Sequence, residues 1–373
     1  MDGFGAQWIR RRSGGLTLKK KREYDEDDVR VRATRSSRSR PRTRTRPKHD
    51  DAITGFVVAV DRGRYTCVVD DHEITAMRAR ELGRKSVVVG DDVALVGDVS
   101  GAEGSLARIV RVEERRSVLT RTADDDDSTA EGKLERIVVA NADQLVIVSA
   151  LADPPPRTGF IDRCLVAAYA ADIEPFLCLT KADLAGAEEL LDYYASLEVP
   201  HILLSPDADL TPLRDLLRGQ ISVFVGHSGV GKSTLVNRLI PSARRAVGVV
   251  SAIGKGRHTS SSAVALRLPE KKTGASRSQP RDLAKGKHGR QVESWIIDTP
   301  GVRSFGLAHV SADDLLHGFP DLVEGTVECP PNCEHFGGEC ALDAWVAAGH
   351  ADVRRLESFR RLLTSRDQTS TST

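Results

Sequence analysis

From about Ala52 to Leu119 the chain is built of short β-type runs. ITGFVVAV, RYTCVVD, SVVVGDDVALVGD and LARIVRV are separated by turns such as Asp61-Arg62-Gly63 and Ser100-Gly101. Four or five strands in so short a stretch predict a small closed barrel, an OB-fold. The fold alone assigns no function. Its few aromatics, Phe56 and Tyr65, read as core and not as stacking platforms.

From Arg136 the pattern becomes α/β. IVVANADQLVIVSA reads as one near-continuous buried parallel strand. FIDRCLVAAYAAD reads as a helix, PFLCLTKADL as a strand with its exit loop, and AEELLDYYASLE as a helix. HILLS is a strand, DLTPLRDLLRG a helix, and ISVFVGHSGVGKSTLVNRLI a strand, Gly-rich loop and helix, the helix running from Thr234 to Ile240. Such alternation predicts a mostly parallel sheet with helices on both faces. Short helices follow, then an amphipathic one with Val353, Leu356, Phe359 and Leu363 on one stripe. The expected organisation is an arm over 1–50, a barrel over 51–121 and an acidic linker over 122–133. An α/β domain over 134–310 carries a mobile insertion at 269–292. A small helical domain over 311–366 and a disordered tail over 367–373 complete a multidomain α/β chain.

Composition narrows the classes. None of the 373 residues lies in an 18-residue apolar run, so no membrane helix is expected. The first residues lack an apolar segment of the kind that marks secretion. Six cysteines are too sparse for a disulfide scaffold. The net charge of +1 hides an asymmetry: residues 1–49 hold 16 Lys/Arg against 6 Asp/Glu, and the remainder 38 against 47. Arg30–Lys48, with eight arginines, reads as an RNA- or phosphate-contacting arm or as a solvated tail.

Gly226, His227, Ser228, Gly229, Val230, Gly231, Lys232 and Ser233 match G-x-x-x-x-G-K-[ST] between a strand and a helix beginning at Thr234. Its glycines let backbone N–H groups wrap phosphates, Lys232 reaches the outer phosphates, and Ser233 would bind Mg²⁺. Asp298-Thr299-Pro300-Gly301 follows an apolar strand and would put Asp298 near Mg²⁺ and the Gly301 N–H near the terminal phosphate. Alone, it is also an ordinary turn. Thr180-Lys181-Ala182-Asp183 has the form of a guanine-reading loop. Its Asp accepts from the ring N–H and exocyclic amino group, a pair that adenine does not offer. It too can be an ordinary strand-to-helix turn. Ser205, after HILL, would touch the base from the other side. In ordinary GTPases the guanine loop follows the phosphate loop; here it precedes it, as in a permuted chain whose loops still meet at one sheet edge.

Cys329, Cys333, His335 and Cys340 offer three thiolates and an imidazole, the closed set of a structural Zn²⁺ site with no open catalytic position. Cys67, Cys164 and Cys178 sit in apolar runs and read as core thiols.

Together T-K-x-D, GHSGVGKST, GRHTSSSA, DTPGV and the Cys/His module resemble the circularly permuted, ribosome small-subunit-dependent GTPases over most of residues 52–365. The resemblance implies an OB-fold barrel, a circularly permuted P-loop GTPase domain and a C-terminal zinc-binding domain. It implies a cytoplasmic enzyme that hydrolyses GTP to GDP as a release switch in late maturation of the small subunit, with 16S rRNA as partner. By the same resemblance Lys181 and Asp183 recognise guanine, and Gly226 to Thr234 hold phosphates and Mg²⁺. Asp298 and Gly301 sense the terminal phosphate, and Thr259 in the switch Gly256–Thr259 is a Mg²⁺ ligand. Thr180 replaces the commoner Asn, which removes an amide contact. Val302 stands where many GTPases carry a water-orienting Gln, so intrinsic turnover should be slow and His258 becomes the candidate to orient water. A monomer is the default. Two other classes compete: a P-loop ATPase or kinase, and an RNA-binding assembly protein with a vestigial nucleotide site.

Overall fold

Residues 49–83, 87–121, 136–243, 263–269, 293–299, 305, 307, 310–337 and 340–367 are described by a computed structural model. Residues 1–48 of the arm, the whole acidic linker 122–133, His258, Thr259, Gly301, Val302, residues 270–292 and residues 368–373 lie outside them. Residues His49–Thr373 pack as one unit.

Strands β1 (Ile53–Asp61), β2 (Arg64–Val69), β3 (His72–Arg78), β4 (Asp92–Gly97) and β5 (Ala107–Val112) form the barrel in the order β1-β2-β3-β5-β4. It closes by β1–β4 pairing, and β3 and β5 run parallel. Val57, Tyr65, Cys67, Ile74, Leu95 and Ile109 fill its interior. Tyr65 is therefore core, as expected. Phe56 is not inside the barrel: its ring packs, tilted by 39°, against Trp295 of the neighbouring domain, ring centroids 5.1 Å apart.

The expected single strand over 137–150 is two. β7 (Arg136–Ala140) pairs antiparallel with β6 (Val118–Arg121) in a separate ribbon, and β8 (Gln144–Ala150) enters the main sheet. The break falls at Asn141, which takes a left-handed backbone (φ 57°) that asparagine tolerates. Its buried side chain accepts from Arg116 N and donates to Gly90 O, bonds that fix the turn.

The main sheet runs β10 (His201–Leu204), β9 (Glu174–Thr180), β8, β11 (Ile221–Val225), β13 (Trp295–Asp298) and β12 (Val264–Arg267). All neighbours are parallel except β12, which pairs antiparallel with β13 and, through Ala59↔Val264, with β1. Barrel and α/β sheet are thus hydrogen-bonded together. Alternate residues feed two cores, as strands covered on both faces require. Leu145, Ile147, Leu177, Leu179, Val223, Val225 and Ile297 pack under α1 (Thr158–Ala170) and α2 (Glu188–Tyr194). Val146, Val148, Phe176, Cys178, Phe224 and Ile296 pack under α3 (Thr211–Leu216) and α4 (Lys232–Leu239).

The C-terminal region comprises α5 (Ala312–Leu315), α6 (Pro320–Val323), α7 (Ala341–Ala347) and α8 (Val353–Asp367), with 3₁₀ turns after α5 and α6. Leu356, Phe359 and Leu363 are buried on α8 as the stripe predicts, with Leu362 beside them. Val353 is exposed, because it begins the helix before the buried stripe is established. Helix α8 lies along α1. Arg361 pairs with Asp162 at 3.5 Å and covers the Tyr193 ring at 4.2 Å, and Ser358 bonds Ser196 at 2.8 Å.

Candidate nucleotide site and metal centre

The parallel strands β8, β9, β10, β11 and β13 end together, and their exit loops collect the predicted site residues at one edge. After β11 the chain turns through Gly226, His227, Ser228, Gly229 and Val230 into α4. A side chain at Gly226 would meet the Val148 carbonyl at 2.7 Å, so the close approach of loop and strand requires glycine. Gly231 caps α4 with φ 91°, a left-handed geometry that glycine adopts without strain. The helix starts at Lys232, two residues before the expected Thr234. Val230 is buried, whereas Ser228, Gly229, Ser233 and Thr234 are exposed.

Lys232 Nζ and Asp298 Oδ1 form an ion pair, with side chains only 11% and 22% exposed. The buried Thr299 hydroxyl donates to the Phe224 carbonyl at 2.9 Å and ties the Asp298 loop back to β11. A cation and a carboxylate side by side at a helix N-terminus can bind a phosphate tail and the metal ion that accompanies it.

The Thr180 hydroxyl donates to the Val230 carbonyl at 2.6 Å. The residue that lacks the commoner amide therefore braces the phosphate loop. Lys181, at φ 57°, donates from Nζ to the Asp153 carbonyl. Ala182 N donates to Leu204 O at 3.2 Å, which stitches the TKAD loop to the loop carrying Ser205. The Ser205 carbonyl in turn accepts from Ala208 N at 3.1 Å. Asp183 is exposed at the rim. On the other flank the His227 ring lies 4.2 Å from that of Phe160, on α1. The motif patterns flagged neither Phe160 nor Asp153, because both act through tertiary proximity.

A family model for the RsgA GTPase matches residues 112–275. The small ribosomal subunit biogenesis GTPase RsgA of Chlorobaculum parvum is 32% identical over 335 residues, covering 86% of this chain and all of that protein. The chain belongs to the RsgA GTPase family. The RsgA of Pseudomonas aeruginosa is 38% identical over 243 residues, 62% of this chain and 65% of its own length. Two solved structures share the fold at 22% identity. YjeQ from Thermotoga maritima has a TM-score of 0.58 over 84% of this chain and 98% of its own, and YloQ, a circularly permuted GTPase, has 0.54 over 87% and 99%. As an RsgA GTPase the chain is a hydrolase acting on GTP, with the permuted loop order read from its sequence. The ATPase, kinase and vestigial-site readings are not favoured.

The four residues Cys329, Cys333, His335 and Cys340 converge, their ligand atoms all within 4.8 Å of one another. Cys329 Sγ lies 3.9 Å from Cys340 Sγ and 3.6 Å from His335 Nδ1; Cys340 Sγ lies 3.8 Å from the same nitrogen. An ion with thiolate bonds of about 2.3 Å places tetrahedral sulfurs about 3.8 Å apart, so the cluster fits such an ion. Asn332 (φ 60°), His335 (φ 57°) and Gly337 (φ 85°) supply the tight bends. Arg360 of α8 donates to the His335 carbonyl at 2.9 Å and clasps Asp343 with two 2.8 Å bonds, holding the loop against the helix. Burial lowers the His335 pKa, which favours the neutral, ligating imidazole. Cys67 and Cys178 are buried elsewhere, and burial pushes their thiols up to about 12, as core thiols require.

Proposed function

We propose that this GTPase acts as a GTP-dependent release switch on the small ribosomal subunit, binding 16S rRNA during late maturation. The observation that carries the reading is the Thr180–Val230 hydrogen bond, which joins the guanine-type loop to the phosphate loop at one sheet edge. Asp183 reads the guanine edge, Lys181 covers the base, and Ser205 closes its far side. The backbone from Gly226 to Thr234 wraps the phosphates, and Lys232 supports the outermost ones. Ser233, Thr259 and Asp298 would hold Mg²⁺, which would neutralise charge on the phosphate oxygens, and Gly301 senses the terminal phosphate. His258 orients the attacking water in place of the side chain that Val302 cannot offer. Cys329, Cys333, His335 and Cys340 hold one structural Zn²⁺ that fixes the C-terminal module. The working form is a cytoplasmic monomer, and the arginine-rich arm adds phosphate contacts.

The relatives' name, small ribosomal subunit biogenesis GTPase, supports the partner. The basic 1–49 segment supports the rRNA component. Base competition tests the nucleotide part: unlabelled GDP should displace labelled GDP at least a hundredfold more effectively than ADP. Equal displacement by ADP would return the site to a generic P-loop enzyme.

A further inference from the structure

We propose that the free edge of the GTPase sheet at β10 is a docking site for an extended, basic polypeptide segment. Among the described residues β10 pairs on one side only, with β9. Leu177 N donates to Pro200 O at 2.8 Å and Ala182 N to Leu204 O at 3.2 Å. In a parallel ladder alternate residues face the partner strand, so His201 and Leu203 turn their backbone N–H and C=O groups to the open side. Their side chains are exposed too, Leu203 by 46%. The edge is short, four residues after Pro200, but its two outward residues are a histidine and a leucine and not the charged residues that commonly guard an edge.

Beside it lies a trough of about 670 Å³ whose walls include Leu177, Leu191, Tyr194 and Val199. It is large enough for an apolar side chain from an added strand. The rim is acidic: it carries Glu188, Glu189, Asp192 and Glu198, and the arginines of α8 that reach it, Arg354, Arg355 and Arg361, are each paired with an aspartate, Asp192, Asp321 and Asp162. Asp192 is shared with Arg354 at 3.1 Å, whereas Glu198, at the trough, has no ion-pair partner among the described residues. The charge repels a nucleic-acid backbone and attracts a cationic chain. A segment that carries basic and apolar residues in turn at every second position, and so on one face of the added strand, meets all three features: backbone pairing, an apolar pocket and an acidic rim. Docking at this edge needs neither nucleotide nor rRNA.

The test uses the full chain and a fluorescent eight-residue peptide, Arg-Ser-Leu-Ser-Arg-Ser-Leu-Ser, which sets Arg and Leu on one strand face, read by anisotropy, with amide exchange followed over residues 199–205. Saturable binding is expected, with exchange slowed at least tenfold over that stretch. Glu198→Lys and Leu203→Asp should each weaken binding at least tenfold and leave GTP hydrolysis unchanged. The proposal is overturned if the same peptide with both Leu replaced by Ser binds as well, since charge alone would then suffice. It is overturned equally if an RNA oligonucleotide gives the same protection, or if sedimentation shows the edge covered by a second copy of the chain. Unchanged affinity in both variants would also refute it.

Discussion

The Thr180 hydroxyl donates a 2.6 Å hydrogen bond to the carbonyl of Val230, 50 residues further along the chain. In this permuted order the guanine-type loop is made first and the phosphate loop second, and one buried hydroxyl holds them in register. Thr180→Val keeps the shape, removes the donor and leaves a buried carbonyl unsatisfied, a loss of about 1–3 kcal/mol. GDP affinity should fall about tenfold, measured by titration with a fluorescent analogue. Unchanged affinity would show that the two loops are held independently.

Asp183→Asn addresses base choice. The carboxylate accepts two donors of guanine, and hydrogen bonds to a charged group are each worth about 1.5–3 kcal/mol. GTP affinity should drop by about two orders of magnitude. Xanthine nucleotides, which offer an acceptor where guanine has its amino group, should gain. Isothermal titration with both nucleotides reads the inversion.

The seam between α1 and α8 has a pH signature. Burial raises the Asp162 pKa, against the lowering by Arg361 and by the Tyr194 hydroxyl 2.9 Å away. A carboxyl whose folded pKa lies above its unfolded value of about 3.9 contributes its stability at low pH. That contribution is lost as pH rises through the folded value. Asp162→Asn, which stays neutral, should therefore gain on the native chain from about pH 4 upward and plateau above the folded pKa. Arg361→Met removes the cation that holds the ionised form and should be the more destabilising change at pH 7. Melting temperatures of all three proteins between pH 4.5 and 8 decide it.

Metal content tests the Cys₃His cluster. Chain purified without added metal should carry one zinc, measured by plasma emission, and Cys329→Ser should lose it together with part of the thermal stability. Cys67→Ser, deep in the barrel, should keep the metal. Arg360→Ala should retain the ion but release it faster to a chelator, because the His335 carbonyl loses its anchor.

Much of this architecture was legible in the sequence because its signals are local. The phosphate loop needs glycines at fixed offsets, and Gly226 and Gly231 sit where the backbone demands them. The metal cluster lies within twelve residues, and the barrel and α/β patterns follow from residue alternation. What escaped depends on distant partners. The break at Asn141 is stabilised by Arg116 and Gly90, which no local pattern connects to it. The sequence pattern cast Thr180 as a loss of contact, because its bond partner belongs to a loop that only the fold brings near. Val353 fitted the helical period but precedes the buried part of α8.

The most direct test of the central claim is phosphate release from GTP and from ATP, with and without purified small ribosomal subunits. Slow turnover of GTP alone, strong stimulation by small subunits and no use of ATP are the predicted results. A chain that hydrolyses ATP equally well, or whose GTP turnover ignores the small subunit, would contradict the ribosome-coupled switch.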